Sequence, residues 1–260
     1  MSPVRFPTAL HQRVAEMVRD FLLSDERVDT VLLVNSCARG HAVPESDVDV
    51  GVLLKSAASS EELQKLEEAW VALMAKQPLV REFRQTGAFS HVHLDVFDGR
   101  LAPAVWDDGG GPDAFEVAIG NRVAHPVPLH DAGPRFRELQ QHWLPYYSDD
   151  LRRGRLAMVR DACAHDLEYI PFCAGRGLYF HAFDRLYKAY QEFLQALFIA
   201  QRVYPVAYNK WIREQVAGWL GLPELYRELP PILSVRNLES DEIRKNADTL
   251  RALLEAWVQP

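Results

Sequence analysis

The chain has 260 residues, a formal net charge of −7, 48% hydrophobic residues and 25% charged residues. That is the balance of an ordinary globular protein, long enough for one large domain or two small ones. The longest apolar runs, such as residues 31–34, are far too short to cross a bilayer, and the first residues lack a basic stretch leading into an apolar core, so neither a membrane span nor a secretory signal is expected.

The acidity also makes long nucleic acid a poor expected partner, because proteins that grip it usually show a basic face. Three cysteines, Cys37, Cys163 and Cys173, form an odd set without metal-ligand spacing. Reduced thiols in a cytoplasmic protein are the natural expectation.

The chain reads as two unequal halves, an α/β (α+β) domain with a mixed sheet over 1–145 and an all-helical bundle over 146–260. Thr8 opens a helix with Leu10, Val14, Met17, Val18 and Phe21 on one face. A β-branched apolar run predicts a buried strand at 30–34. After a loop over 35–46, residues 47–52 alternate, with Val48, Val50 and Val52 on one face and Asp47 and Asp49 on the other.

Ser59 and Glu62 form a capping box for a helix carrying Leu63, Leu66, Trp70 and Leu73. Strands are predicted at 80–86 and 92–97, joined by a turn at Gly87. A glycine-rich loop over 107–113, a short helix over 114–119, a strand over 127–130 and a linking helix complete this half.

Beyond Pro145 the signals are helical. The clearest helix spans 178–203, with Tyr179, Phe183, Leu186, Tyr190, Phe193 and Leu197 on one face, stopped by Tyr204-Pro205. Another is expected over 208–221, and a last from 240 onward. His181, Arg185, Lys188 and Glu192 form a polar stripe opposite the aromatic face, which reads as a solvated surface.

The chemistry concentrates in two stretches. In Ser46-Asp47-Val48-Asp49 the two aspartates point the same way, so their carboxylates converge. Like charges held together call for a neutralising cation, and hard oxygen donors favour Mg2+ (or Mn2+) over softer metals. In His91-Val92-His93-Leu94-Asp95, Asp95 lies opposite the apolar face of its strand. Beside the first strand it would give three carboxylates, enough for a pair of metals roughly 3.5–4 Å apart. His91 and His93 read as strand-surface residues, with His93 on the face of Asp95.

Together with Ser36 and Arg39-Gly40 in the preceding loop, these stretches resemble the polymerase beta-like nucleotidyltransferase superfamily, in particular its small-molecule branch with the aminoglycoside nucleotidyltransferases. The order of motifs matches over the first hundred or so residues, and the mixed half followed by helices matches over most of the chain. One departure is Asn35, where the family usually has glycine. Asparagine tolerates a left-handed backbone better than most residues, so the turn can survive.

The resemblance implies transfer of a nucleoside monophosphate from an NTP, such as ATP, to a hydroxyl acceptor, a small molecule, in a cleft between the two domains. It implies metal binding by Asp47 and Asp49, activation of the acceptor by Asp95, and nucleotide contacts from Ser36, Arg39 and Ser46. A lysine of the helical half would reach the phosphates, Lys210 first and Lys188 second. The rival expectations are a non-catalytic nucleotide-binding regulator, an antitoxin-like partner, or nucleotidylation of a protein or RNA end.

Overall fold

A computed structural model describes residues 5–56, 59–105 and 107–259. The chain divides into two compact units. One comprises the residues up to Leu101 together with Asn121–Pro145; the other comprises Ala102–Gly120 and the residues from Tyr146 onward.

The first unit is built on a mixed sheet of four strands, β1 (Val28–Leu33), β2 (Val48–Leu54), β3 (Val92–Phe97) and β4 (Val127–Pro128), in the order β3-β2-β1-β4. β1 pairs antiparallel with β2 and with β4, whereas β2 and β3 run parallel. Helix α1 (Ala9–Leu23) starts at Thr8, whose side chain accepts a hydrogen bond from the His11 amide. Its residues Val14, Val18 and Leu22 pack on Val31, Leu33, Val50 and Val52.

A four-residue turn of helix, α2 (Asn35–Ala38), follows β1, and α3 (Ser60–Lys76) opens with the full capping box of Ser59 and Glu62. On the opposite face Leu32, Leu53 and Phe97 meet Phe136 of helix α6 (Pro134–Trp143). Alternation along the strands therefore buries both faces of the sheet over most of its area.

The strand expected at 80–86 is instead helix α4 (Pro78–Arg84). Pro78 sits in its first turn, where a missing N–H costs nothing, and Val80 and Phe83, three apart, share its buried face. The turn at Gly87 consequently joins a helix to β3.

The second unit is mostly helical. A short helix α5 (Phe115–Ile119) belongs to it, with α7 (Asp149–Gly175), α8 (Tyr179–Gln201), α9 (Pro223–Ile232) and α10 (Glu242–Trp257). Its core joins Leu167 and Ile170 of α7 to Leu186, Phe193 and Leu197 of α8 and Leu250 of α10. The helix expected over 208–221 is regular only in a π-helical stretch, Arg213–Trp219. Ahead of it Gln215 accepts from the Val206 amide and donates to the carbonyls of Ala207 and Lys210, which holds 206–210 in a loop.

The polar stripe of α8 is not a solvated surface throughout: Arg185 and Glu192 are buried. Cys37, Cys163 and Cys173 are all buried free thiols. Among the described residues no helix is long and apolar enough to cross a membrane.

Candidate active site

The site is assembled where β2 begins. Val48, Val50 and Val52 are fully or almost fully buried, so the alternate positions Asp47 and Asp49 face the other way and stay partly open. Parallel pairing sets Val48 against Val92 and Asp49 against His93. As a result one ligand atom each from Asp47, Asp49 and His93 lie within 4.8 Å of one another. The His93 Nε2 stands 3.7 Å from Asp47 Oδ2.

The same register places Asp95 beside Gly51, one alternation beyond Asp49 on the same face. Asp95 is not in the trio. Both its oxygens accept hydrogen bonds from Arg122, Nε to Oδ2 and Nη2 to Oδ1, each at 3.1 Å. The Arg122 guanidinium lies over the Phe97 ring, 5.4 Å from its centroid. The expected third carboxylate is thus held by a cation of the chain itself, and the residue grouped with the two aspartates is a histidine.

The turn after β1 brings its backbone next to this edge. Asn35 has a φ of 55°, the left-handed conformation that asparagine adopts at lower cost than most residues. The Val34 amide donates to the Asp49 carbonyl at 3.1 Å, tying the turn to β2. Ser36 follows on α2, and Arg39 ends that short helix, its amide donating to the Asn35 carbonyl. Behind them Cys37 is buried, and its thiol is pushed up to about 12, first by burial and then by the negative charges of Asp49 and Asp47.

The loop leading to Asp47 is pinned from two sides. His11, fully buried on α1, donates through Nε2 to the Ser46 carbonyl at 3.1 Å, and its Nδ1 accepts from the Thr8 hydroxyl at 2.8 Å. Burial lowers the His11 pKa, while the Ser46 carbonyl and Asp47 raise it. This arrangement fits a neutral ring with its proton on Nε2. From the other side Ser90 donates to the Glu45 carbonyl at 3.2 Å, and Gly87 lies so close to Glu45 that a Cβ would come within 2.8 Å of the Glu45 Cβ. The Ser46 hydroxyl accepts from the Val43 amide at 2.9 Å, within the loop itself.

The sequence does not mark His11, because a lone histidine on an amphipathic helix carries no distinguishing pattern. In the second unit Lys188 pairs with Asp184 at 2.8 Å, and Lys210 is exposed on the loop ahead of the π-helical stretch.

A second group able to hold a metal, Asp108, His165 and Asp166, lies in the helical unit. There Arg185 donates to both Asp108 and Asp166, so a guanidinium already supplies the positive charge. The trio at Asp47 lies on the strand pair that carries the sequence motif and is the stronger candidate.

Residues 15–99, which span β1, β2, β3 and the whole trio, match the model of the nucleotidyltransferase domain family. The match supports the broader polymerase beta-like nucleotidyltransferase superfamily for this segment and does not select a branch within it. Among solved structures, a nucleotidyltransferase-like protein from Exiguobacterium sibiricum 255-15 is similar at 12% identity, over 94% of this chain and 74% of that one, with a TM-score of 0.45. So faint a likeness carries no argument about function. No curated protein matches the chain.

Proposed function

We propose that the protein transfers a nucleoside monophosphate from an NTP to a hydroxyl group of a small molecule and releases pyrophosphate. The observation that supports this most is the convergence of Asp47, Asp49 and His93 beside the turn at Asn35, within the segment that matches the family model.

Mg2+ or Mn2+ fits the two aspartates, which offer hard oxygen donors at a partly open edge where phosphate oxygens and water can complete the shell. Bound there, the cation would offset the triphosphate charge and act as a Lewis acid on the phosphoryl oxygens. Imidazole is a softer donor than magnesium favours. We therefore assign His93 to orienting Asp47 rather than to ligation.

Ser36 and Arg39 are assigned to the triphosphate, and Ser46 to fixing the loop through the Val43 amide. The proposal extends to a phosphate-binding lysine, Lys210 first and Lys188 second. Asp95 is assigned to the acceptor. The acceptor oxygen bonds to the α-phosphorus, its proton passes to a carboxylate oxygen of Asp95, and the bond to pyrophosphate breaks. Arg122 takes one lone pair of each Asp95 oxygen, and a second lone pair on each remains to accept that proton.

The clasp of Arg122 on Asp95 favours a second reading, a regulator that binds nucleotide without turning it over. Incubating the protein with each labelled NTP, magnesium and a panel of hydroxylated small molecules, while following pyrophosphate, tests the proposal. Metal-dependent nucleotide binding without pyrophosphate from any acceptor, including a protein or RNA end, would favour the regulator.

A further inference from the structure

Just ahead of the π-helical stretch of the helical unit, Trp211 has a φ of 59°, a left-handed backbone that bulky side chains rarely adopt. Asn35, Tyr146 and Arg202 also have positive φ, each with a local reason. Asparagine tolerates this conformation, and Arg202 closes α8, where a left-handed residue is common. Tyr146 is buried, its ring close to those of Tyr147 and Tyr204.

Trp211 has neither reason. It ends no helix, and it is 42% exposed. Among the described residues the core of this unit takes in its neighbours Tyr208 and Ile212 but not Trp211. A strained backbone persists only where the surroundings impose it, and such residues cluster at ligand clamps and active sites.

The surroundings do impose it here. Fully buried Gln215 accepts from the Val206 amide and donates to the carbonyls of Ala207 and Lys210. Its own amide donates to the Trp211 carbonyl at 2.9 Å. Val206 and Tyr208 are buried on the inner side of the loop. Held on that base, Asn209, Lys210 and Trp211 are turned to solvent in succession. Arg213 is exposed two residues on, its guanidinium 5.9 Å from the Tyr226 ring centroid.

An exposed indole between two cations fits a planar ring that carries negative charge. A purely apolar partner would cover Lys210 and Arg213 without supplying an anion, which is unfavourable. A nucleotide supplies both parts, a base to stack and phosphates to meet the cations.

We propose that Trp211 is the platform on which the base of the bound nucleotide stacks, with Lys210 beside it meeting a phosphate. The proposal rests on the nucleotidyl-transfer reading for the identity of the ligand. Every base has a π-face, so Trp211 adds affinity for all four NTPs and selects little among them.

Isothermal calorimetry on the full chain with magnesium would compare ATP with inorganic tripolyphosphate, which has no base. Trp211→Asn keeps a residue that tolerates the left-handed backbone, and Trp211→Phe keeps an aromatic ring; circular dichroism checks the fold of both. ATP should bind roughly fivefold or more weakly to Trp211→Asn, the low end for a lost stack, and within about threefold of normal to Trp211→Phe. Tripolyphosphate affinity should be the same in all three proteins. ATP affinity unchanged in folded Trp211→Asn, or an equal loss for ATP and tripolyphosphate, would overturn the platform while leaving the nucleotidyl-transfer reading intact. Absence of ATP binding by the unaltered protein would remove both. On the unaltered protein ATP should also quench tryptophan emission where tripolyphosphate does not, and equal emission with the two ligands would overturn the platform even if the variants fail to fold.

Discussion

Asp49 and His93 stand directly opposite each other in the parallel pairing of β2 with β3, while Asp95 stands opposite Gly51. This register decides which side chains can act together, and it divides the acidic face into the trio of Asp47, Asp49 and His93 and a neighbouring carboxylate held by arginine.

Asp47→Asn and Asp49→Asn are each expected to abolish metal-dependent NTP binding while leaving the melting temperature unchanged or slightly raised. Removing one of two repelling carboxylates relieves the metal-free protein. Calorimetry with each NTP, with and without EDTA, together with thermal melts, checks both halves. Equal binding under chelation would remove the metal-site reading, and a large fall in melting temperature would reveal a structural role.

For Asp95 the expected signature is a split between binding and turnover. Asp95→Asn should hold NTP affinity within a few-fold while turnover drops roughly 10²-fold or more, the scale of a lost general base. Arg122→Ala should cost less than about 1 kcal/mol of stability, because the pair it breaks is largely solvated. An Asp95→Asn variant with normal turnover would eliminate the proton-acceptor assignment.

His11→Ala removes the donor that holds the Ser46 carbonyl and leaves a part-buried acceptor without it. A loss of about 1–3 kcal/mol is expected in chemical denaturation. Hydrogen exchange of the native variant should be faster at Val43, Ser46 and Asp47. Unchanged exchange there would show that the loop is held without His11.

Lys210→Ala should weaken NTP binding by about 1–3 kcal/mol, as for a lost charge-assisted hydrogen bond. Affinity equal to that of the unaltered protein would move the assignment to Lys188, whose ion pair with Asp184 must then open.

Glu192 gives stability a definite pH dependence. Its carboxyl rises from an ordinary value of 4.5 to about 8 on folding, mainly through burial. The folded chain therefore holds that proton more tightly than the unfolded one. Below about pH 4.5 both states are protonated and the group contributes nothing; between 4.5 and 8 the unfolded state ionises first and stability falls; above 8 the loss levels off. At about 1.4 kcal/mol per pH unit, Glu192→Gln should be more stable by a few kcal/mol at pH 8 and indistinguishable near pH 4. Urea melts across that range test it, and a gain that does not grow with pH would contradict the buried charge.

Much of the first unit is legible in the residues. Alternation around Asp47 and Asp49 identifies β2 and its open face, and Ser59 with Glu62 marks the start of α3 because capping is a local interaction. Asp95 is also legible as a strand residue on the right face, but its pairing with Arg122 is not, since 27 positions separate them. Residues 80–86 read as a strand because the run is short and apolar at Val80 and Phe83, whereas the spacing of three between those residues and Pro78 in the first turn belong to a helix. The burial of Glu192 and Arg185 is hidden for another reason. A charged stripe at helical spacing looks solvated until a distant segment covers it, and here Gly109 lies so close to the Arg185 guanidinium that a Cβ would overlap it.

The excursion Ala102–Gly120 has a practical consequence for anyone who would divide the chain. Arg155 on α7 is only 3% exposed and is held by Asp113 and Glu116, both supplied by that excursion. Cutting at residue 145 to produce the helices alone would strip this arginine of both carboxylates, a loss on the order of 3–5 kcal/mol for a single broken buried pair. A fragment meant to fold by itself would have to carry the excursion spliced ahead of Tyr146, so the unit that is continuous in space is discontinuous in the gene.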